Sequence, residues 1–323
     1  MTSTPAIKGD LPAIFIDGEA GTTGLQIRDR LEGRRDMRLV SVQAEARKDP
    51  AARRAAMAEA DLAILCLPDA AAREAVALAE ELGTAAPRIL DASTAHRIAP
   101  DWAFGFAEMA PGQANAIAGA RKVANPGCYS TGAIALLKPL VDRGLVPAGH
   151  PISINAVSGY SGGGRQMIEA FEGGGAPAFE MYGLGFSHKH LPEIEHYAGL
   201  AERPIFIPSV GNFRQGMLVS VPLHLETLPG RPAARDLEAA FRAHYGTGGL
   251  VRVVATSPDD RLVPETLNGT DLMELRVFGL PDGGHALLVA RLDNLGKGAS
   301  GAAVQNADLM LGIGTAQVDR AAA

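Results

Sequence analysis

Hydrophobic and polar positions in the first third of the chain alternate between short apolar runs and longer segments with helical spacing. In the segment 22–34, Leu25, Ile27 and Leu31 recur at helical intervals and are predicted to face inward. Near-continuous apolar runs separated by helices of this length predict βαβ units and a parallel sheet. The predicted strands are 13–16, 37–42, 62–67 and 88–93, and the predicted helices are 22–34, 49–60 and 69–82.

The pattern changes after about residue 128, where several β-rich stretches follow one another without an intervening helix. This order predicts a largely antiparallel sheet. The main helix of this half is predicted over 231–245, and a final helix over 299–311. The predicted strands are 152–157, 204–208, 217–225, 250–255, 272–280 and 285–292.

Composition and charge exclude several classes of protein. The net charge of −6 and the absence of a basic run argue against a nucleic-acid or anionic-membrane partner. Two cysteines, Cys66 and Cys128, cannot form a disulfide framework or a four-cysteine zinc site. The first residues lack the pattern of a signal peptide, and no apolar stretch reaches the roughly 18 residues of a membrane span. We therefore expect a cytoplasmic protein without a membrane partner.

A glycine-rich loop lies between the first predicted strand and the first predicted helix. Gly18, Gly21 and Gly24 are spaced GxxGxxG, and Thr22 and Thr23 lie between the last two of them. Glycines at this place let the backbone approach a pyrophosphate, which binds the free N–H groups of the following helix. The loop predicts a dinucleotide site, and the alternative is a turn without a ligand.

Residues that follow the second predicted strand bear on the choice of dinucleotide. Glu45 would favour NAD through the ribose hydroxyls, whereas Arg47 and Lys48 would bind the 2′-phosphate of NADP. We predict NADP(H), with solvated surface charges as the alternative interpretation.

Together these patterns predict an α/β fold in two domains. A nucleotide-binding domain is expected over 1–127, with 298–323 packing back on it. A mixed α+β domain with a largely antiparallel sheet is expected over 128–297, and its sheet is a candidate for pairing across a symmetric interface.

Cys128 is the stronger candidate for a nucleophile. It follows Asn125-Pro-Gly in a polar turn and precedes an apolar helix predicted over 133–141. A helix N-terminus favours the thiolate form of a cysteine, and a thiolate is what covalent acyl chemistry needs. Cys66 lies in an apolar strand and is interpreted as a core residue.

The segment Ser187-His188-Lys189-His190-Leu191-Pro192-Glu193 supplies a candidate proton shuttle. Three adjacent basic residues would repel one another unless they face an anion such as a phosphorylated substrate. Glu193 is close enough to orient the ring of His190 if a helix begins at Pro192. A metal site is the rival interpretation of this segment, but no further ligand cluster supports it, and we predict no metal. Four other histidines, His150, His224, His244 and His285, are expected in loops or strands.

Three motifs in this order resemble the N-acetyl-γ-glutamyl-phosphate reductase family. They are Asn125-Pro-Gly-Cys-Tyr-Ser-Thr-Gly, His188-Lys-His-Leu-Pro-Glu-Ile, and the segment from Asp293-Asn-Leu-Gly-Lys-Gly to Asn306. The resemblance runs over nearly the whole chain. The residues of the second motif are similar to those of the shorter of the two forms of the family.

The resemblance implies a Rossmann domain with an α+β catalytic domain, NADPH, and reduction of an acyl phosphate to a semialdehyde in arginine biosynthesis. It implies that Cys128 is the nucleophile and His190 the acid/base, with Glu193 beside it. The cofactor-binding residues implied by the third motif are Asn294, Lys297 and Gly298. The substrate-binding residues implied by the resemblance are Arg97, Asn125, Ser158, Gly159, Arg165 and His188. Thr94-Ala95-His96 replaces an acidic-aromatic pair of longer members, which leaves the role of Arg97 open.

Other functions remain open from the residues alone. A homodimer or homotetramer is expected. Aspartate-semialdehyde dehydrogenase chemistry is the nearest rival, because it uses the same covalent step. A redox-sensing dinucleotide-binding protein and a cysteine hydrolase are rivals of other classes.

Overall fold

The computed structural model describes residues 7–257, 261–280 and 283–314, and these form two compact units. The described residues of Met1–Ala107, Pro111–Pro126 and Ala299–Ala323 form the first unit. Glu108–Ala110 and Gly127–Gly298 form the second unit.

Strands and helices alternate along most of the first unit, whereas strands dominate the second. In chain order, the strands are β1 Ala13–Asp17, β2 Arg38–Val40, β3 Leu62–Leu65, β4 Arg88–Asp91, β5 Ala103–Phe104, β6 Lys122–Ala124, β7 Ser153–Gly159, β8 Phe179–Met181, β9 Ile205–Gly211, β10 Met217–His224, β11 Val251–Val253, β12 Met273–Gly279 and β13 His285–Leu292. The helices are α1 Thr22–Leu31, α2 Pro50–Glu59, α3 Asp69–Glu80, α4 Gln113–Gly119, α5 Cys128–Asp142, α6 Gly164–Glu172, α7 Leu191–Ala198, α8 Ala234–Tyr245 and α9 Gly301–Leu311.

The first unit is built on a parallel sheet in the order β2-β1-β3-β4-β6-β5. Alternate residues of β1 point to opposite faces, and both faces are covered by helices. Ile14 and Ile16 pack in a core with Ile27 of α1, whereas Phe15 packs in a second core with Met57 of α2. The predicted parallel α/β sheet is confirmed, and its ligand edge is the one at which the strands end.

Helix α1 differs from its prediction in two respects. It ends at Leu31 rather than at residue 34, because Gly33 adopts a left-handed conformation with φ of 81°. Leu25 was predicted to face inward, but its side chain is 51% exposed. That prediction was wrong because Gly24, Ile27 and Leu31 make the buried stripe of α1. The segment with β5, α4 and β6 was not predicted at all.

Helix α9 is fastened within the first unit by a buried arginine. Arg88, at the start of β4, donates to the carbonyl oxygens of Ala118 and Met310, near the ends of α4 and α9. Burial lowers the pKa of Arg88 to about 10, with nearby Arg121 adding to the effect. The residue remains protonated at neutral pH and caps both helix ends.

The second unit is built on a mixed sheet in the order β11-β12-β13-β10-β7-β9-β8. The pairs β11–β12 and β7–β9 are parallel, and the other neighbouring pairs are antiparallel. The prediction of a largely antiparallel sheet is therefore confirmed. Helix α8 begins at Ala234 rather than at residue 231, because the Asp236 carboxylate accepts the Ala233 N–H and fixes the helix start there. His244, which was expected in a loop or strand, lies in α8.

The two faces of the mixed sheet differ in what covers them within the unit. Helix α5 packs against β10 and β13, and a Cβ at Gly132 would lie 2.8 Å from Val219 Cγ2. The other face bears a cavity of about 600 Å³ whose lining includes Leu218, Leu287 and Phe179. No helix of the described residues is long and apolar enough to cross a membrane.

Candidate active site

The glycine loop of the first unit has the geometry that a pyrophosphate needs. Gly18 has φ of 89°, and a Cβ there would lie 2.3 Å from the Cys66 carbonyl oxygen. A Cβ at Gly24 would lie 2.4 Å from the Gly18 carbonyl oxygen. Only glycine fits at these two positions. Gly21 is the N-cap of α1, whose first turn begins with Thr22 and contains no acidic side chain, so the positive end of the helix is open to an anion.

Two arginines meet a carboxylate beside this loop. Arg47 Nη2 donates to Glu19 Oε1 at 2.7 Å, and Arg28 donates to the other oxygen of the same carboxylate. Arg28 Nη1 also lies 3.5 Å from the hydroxyl oxygen of Ser41, which follows β2. Arg28 was missed in the sequence, although its position one turn beyond Gly24 on the same face of α1 was a usable signal. Lys48 is exposed.

The other predicted site residues of the first unit follow β4 and β6. Arg97 is buried, and its Nε donates to the Ser93 carbonyl at 3.1 Å. Asn125 Nδ2 donates to the Ala299 carbonyl at 3.1 Å, and Asn125 Oδ1 accepts from Asn306 Nδ2 at 3.0 Å. The Asn125 side chain thus holds the start of the final segment, and its substrate-binding role stays a prediction.

Cys128 is the first residue of α5, so the helix begins five residues earlier than predicted. Gly127 is the N-cap, and its carbonyl accepts from the hydroxyls of Ser130 at 2.7 Å and Thr131 at 2.8 Å. A Cβ at Gly298 would lie 2.9 Å from Cys128 Cβ, so a larger residue at 298 would displace the nucleophile. The half-buried thiol is therefore placed at a helix N-terminus, where a thiolate is favoured.

Cys66 is half-buried like Cys128, but it directly follows β3, which ends at Leu65 rather than at residue 67 as predicted. Burial, together with the Asp91 and Asp17 carboxylates, raises the pKa of the Cys66 thiol to about 12. The thiol is therefore protonated and weakly nucleophilic at neutral pH. Cys66 packs against the core of the first unit but is only partly buried, so its interpretation as a core residue within a strand holds only in part.

Glu193 holds the turn that precedes the nucleophile. It lies in the first turn of α7, is 1% exposed, and accepts the Gly127 N–H at 3.2 Å through Oε2. The sequence connected Glu193 only with His190, because the two are near in the chain. The contact with Gly127 joins residues 66 apart and was not predictable from spacing. Orientation of the His190 ring by Glu193 stays a prediction.

The two histidines of the predicted shuttle lie together. Their ring centroids are 4.7 Å apart at an interplanar angle of 82°, and each ring is 5.9 Å from the Tyr129 ring. His188 Nδ1 accepts the His190 backbone N–H at 3.1 Å, which requires a lone pair on Nδ1 and leaves Nε2 to carry a proton. His190 is buried and His188 is half-buried.

Two tyrosines complete this part of the site and were not predicted. Tyr129 donates to the Ser209 carbonyl at 2.8 Å, and Tyr182 donates to the Tyr129 hydroxyl at 3.3 Å. Burial raises the pKa of Tyr182 to about 12 and that of Tyr129 still further, and the nearby Cys128 adds to both shifts. Both phenols are therefore neutral hydrogen-bond donors near the thiol. Residue 129 follows the cysteine directly, but only the fold brings residue 182 to it.

The predicted substrate loop follows β7. Ser158 is buried, and its hydroxyl donates to the Gly159 carbonyl at 3.1 Å and also interacts with Tyr129. A Cβ at Gly159 would lie 2.5 Å from the Gln215 nitrogen, so only glycine fits there. Arg165, in the first turn of α6, is exposed.

The residues of the third motif are deeply buried. Asn294 Oδ1 accepts the Gly216 N–H at 2.8 Å, and Asn294 Nδ2 donates to the Ser161 hydroxyl at 2.9 Å. Lys297 is 1% exposed, and its Nζ donates to Glu108 Oε2 at 2.6 Å. These contacts give Asn294 and Lys297 structural roles, and their cofactor-binding roles stay predictions, as does that of Gly298. Among the residues described, no group of three or more His, Cys, Asp or Glu side chains could hold a metal ion.

Comparison with known proteins gives both a family and a set of close relatives. The family model of the semialdehyde dehydrogenase dimerisation domain matches residues 128–294. The N-acetyl-gamma-glutamyl-phosphate reductase of Burkholderia ambifaria is 51% identical over 95% of this chain and 98% of its own length. The reductase of the same name from Chelativorans is 55% identical over 92% of this chain and 97% of its own.

Solved structures share the fold at low sequence identity. Aspartate semialdehyde dehydrogenase II of Vibrio cholerae has a TM-score of 0.70 and 17% identity, covering 94% of this chain and 99% of its own. The aspartate semialdehyde dehydrogenase of Candida albicans, solved with NADP, has a TM-score of 0.63 and 14% identity, covering 93% and 98%. These likenesses establish the fold.

The contrast between the two thiols generates the first prediction. We expect Cys128→Ser to lower turnover by about 10⁴-fold or more, because the serine hydroxyl is a poor nucleophile without a strong base. Cys66→Ser should keep most of the turnover and lower the free energy of unfolding by about 1–3 kcal/mol, since it buries a hydroxyl. Steady-state kinetics and thermal unfolding of both variants measure this. Similar turnover in the two variants would remove Cys128 from the mechanism.

The histidine pair generates the second prediction. His190→Asn should lower kcat by about 10²–10⁴-fold, as expected for loss of a general acid–base. His188→Asn should mainly raise KM. The His188 ring is held by the His190 backbone N–H, so it suits a fixed contact with the substrate. Both constants, and the rate of Cys128 alkylation against pH, are measured for each variant. His190→Asn should alkylate more slowly near neutral pH, and a kcat loss in His188→Asn alone would reverse the assignment.

Proposed function

This chain belongs to the N-acetyl-gamma-glutamyl-phosphate reductase family, and on that premise we propose that it reduces N-acetylglutamyl 5-phosphate to N-acetylglutamate 5-semialdehyde with NADPH. The reaction releases phosphate and serves arginine biosynthesis. The observation that carries the proposal is Cys128 at the start of α5, in a turn fixed by the buried Glu193 carboxylate.

The covalent step begins at the Cys128 sulfur. The thiolate attacks the acyl carbonyl carbon, an S–C bond forms, and the C–O bond to phosphate breaks to leave a thioester. His190 takes the thiol proton and passes it to the departing phosphate oxygen, so the phosphate leaves as HPO₄²⁻. Backbone N–H groups at the start of α5 stabilise the oxyanion of the addition intermediate.

The second step regenerates the thiolate. NADPH, when bound, supplies a hydride, which the thioester carbonyl carbon can accept and a carboxylate cannot. The thiohemiacetal oxyanion on Cys128 then collapses, the S–C bond breaks, and the aldehyde leaves. The thiolate recovers a proton through His190, which accounts for the proton that the overall reduction consumes. The phenol of Tyr182, which donates to the Tyr129 hydroxyl, stays neutral and places no phenolate charge near the thiol in either step.

The choice of NADPH is supported by the charges beside the glycine loop. The turn formed by Gly18, Gly21 and Gly24 fits a pyrophosphate, because its backbone leaves no room for side chains. The guanidinium groups of Arg28 and Arg47 converge near the end of β2, where the ribose 2′ position lies in this fold. The Glu19 carboxylate balances only one of these two cations, and the positive charge that remains suits a 2′-phosphate better than a hydroxyl.

The proposal includes a homo-oligomer formed through the mixed sheet of the second unit. The family model matched by 128–294 is that of a dimerisation domain, and the sheet face opposite α5 is apolar. Phe179, Met181 and Leu287 on this face are 55%, 49% and 39% exposed in the single chain. A second copy of the same face would cover them. The free cysteines support a reducing, cytoplasmic location.

The activity is tested in the oxidative direction with purified protein. We expect phosphate-dependent reduction of NADP⁺ by N-acetylglutamate semialdehyde, with aspartate semialdehyde as the competing substrate in a matched assay. Preference for aspartate semialdehyde would favour the rival reductase. Activity that is independent of phosphate would exclude the acyl-phosphate chemistry, and hydrolysis without cofactor would indicate a cysteine hydrolase.

The preference for NADP⁺ over NAD⁺ is tested in the same assay with two variants. Arg47→Gln should narrow the ratio of kcat/KM for NADP⁺ over NAD⁺ by about tenfold, because one hydrogen bond to a charged group is lost. Arg38→Gln, in which the replaced arginine pairs with Glu59 instead, is the matched control and should leave the ratio unchanged. A higher kcat/KM for NAD⁺ in the unaltered protein would contradict the assignment.

The oligomer is tested by placing charge on the apolar face. Leu287→Asp should shift the mass in solution toward that of the 33.6 kDa chain, because an unpaired carboxylate would be buried in the interface. Analytical ultracentrifugation measures the shift, with Leu25→Asp as the control at an exposed apolar residue of α1, outside the mixed sheet. A mass that is unchanged in Leu287→Asp but reduced in Leu25→Asp would place the interface elsewhere.

A further inference from the structure

The turn that follows β4 contains a buried polar assembly that takes no part in the covalent chemistry of Cys128. Asp91 ends β4 with no exposed surface, and its carboxylate accepts three hydrogen bonds. The donors are the Ser93 N–H at 2.9 Å, the Ser93 hydroxyl at 2.7 Å and His96 Nδ1 at 2.6 Å. A buried carboxylate needs such donors, because an unpaired charge in the interior is costly.

A second carboxylate holds the same turn from helix α3. Asp69, the first residue of α3, accepts the Thr94 N–H at 3.0 Å and the Thr94 hydroxyl at 2.5 Å. Ser93 and Thr94 are thus each held through a backbone N–H and a hydroxyl on one carboxylate. These hydrogen bonds fix the start of the turn. The end of the turn, at His96 and Arg97, needs contacts of its own.

Two contacts of the His96 ring, one with Trp102 and one with Asp91, fix the end of the turn. Its ring is stacked on the Trp102 ring, with centroids 4.2 Å apart and an interplanar angle of 9°. Its Nδ1 is held by Asp91, and the residue is 8% exposed. Stacking fixes the plane of the ring, and the hydrogen bond fixes its rotation.

Arg97 is the residue that this arrangement orients. It follows His96 directly, is 8% exposed, and its Nε donates to the Ser93 carbonyl at 3.1 Å. The turn lies where β4 ends, at the edge of a parallel sheet where ligands bind in this class of fold. A guanidinium is planar, a geometry suited to phosphate, and the bond from Nε helps to fix the orientation of that plane.

We propose that His96 is a positioning residue that, through its contacts with Asp91 and Trp102, fixes Arg97 for recognition of the phosphate group. The proposal rests on the proposed function, which supplies phosphate as product in one direction and as substrate in the other. It accounts for the histidine that this chain has directly before Arg97. Without the ring, Asp91 loses one of its donors and the backbone before Arg97 loses its support on Trp102.

The test compares His96→Ala with His96→Asn in the oxidative assay. The amide nitrogen of asparagine can take the place of Nδ1 as a donor to Asp91, whereas alanine cannot. We expect His96→Ala to raise KM for phosphate about ten- to a hundredfold with kcat little changed, the loss expected of one hydrogen bond to a charged group. His96→Asn should restore part of the affinity, because it returns a donor to Asp91 but does not replace the stacking on Trp102. Arg97→Lys should raise KM for phosphate at least as much as His96→Ala does.

A matched control separates positioning from general destabilisation. His244 is a partly buried histidine whose Nε2 lies 3.1 Å from the Met109 carbonyl, so His244→Ala also removes one buried ring contact. It should lower the melting temperature without changing KM for phosphate. An unchanged KM in His96→Ala, a loss confined to kcat, or a failure of asparagine to restore affinity would overturn the inference while the unaltered protein is active. An inactive unaltered protein would overturn the proposed function and this inference together.

Discussion

The carboxylate of Glu193 on the N–H of Gly127 is the contact on which the chemistry of the second unit depends. A helix start has backbone N–H groups without partners inside the helix, and the residue before it must be held if the first side chain is to be placed. Gly127 is held through its N–H by Glu193 and through its carbonyl by Ser130 and Thr131. The backbone at Cys128 is therefore held in one position, which limits where its sulfur can lie.

The contact also connects two segments with different tasks. Glu193 lies three residues beyond His190 in the chain, so the element that carries the proton shuttle also holds the turn of the nucleophile. Helices α5 and α7 pack against each other, and this packing holds the turn before Cys128 and the histidine segment in a fixed arrangement. A change at residue 193 would therefore disturb the thiol and the histidines at once, which is a stronger constraint than ring orientation alone.

In the first unit, the parallel sheet brings the site residues together, and here too buried carboxylates hold the backbone. Parallel strands end at one edge of the sheet, so residues after β1, β4 and β6 are brought near that edge without being near in the chain. Backbone polar groups there need partners, and buried carboxylates such as Asp17 and Asp91 provide them or pair with neighbouring cations. Burial raises the pKa of Asp17, and two hydrogen bonds from Arg53 oppose the shift. Glycines at 18 and 24 leave the loop between them open to a ligand.

Local signals in the sequence were enough to predict the parallel sheet, the largely antiparallel sheet, the glycine loop, the contrast between Cys66 and Cys128, and the family. These follow from local signals, namely apolar periodicity, glycine spacing and short motifs, which act over a few residues. Three contacts depended on the packing of the folded chain and had no local signal: Glu193 holds Gly127, Tyr182 lies near Cys128, and Arg28 shares Glu19 with Arg47. Those contacts join residues whose spacing in the chain has no fixed meaning, because the path between them depends on how whole strands and helices pack.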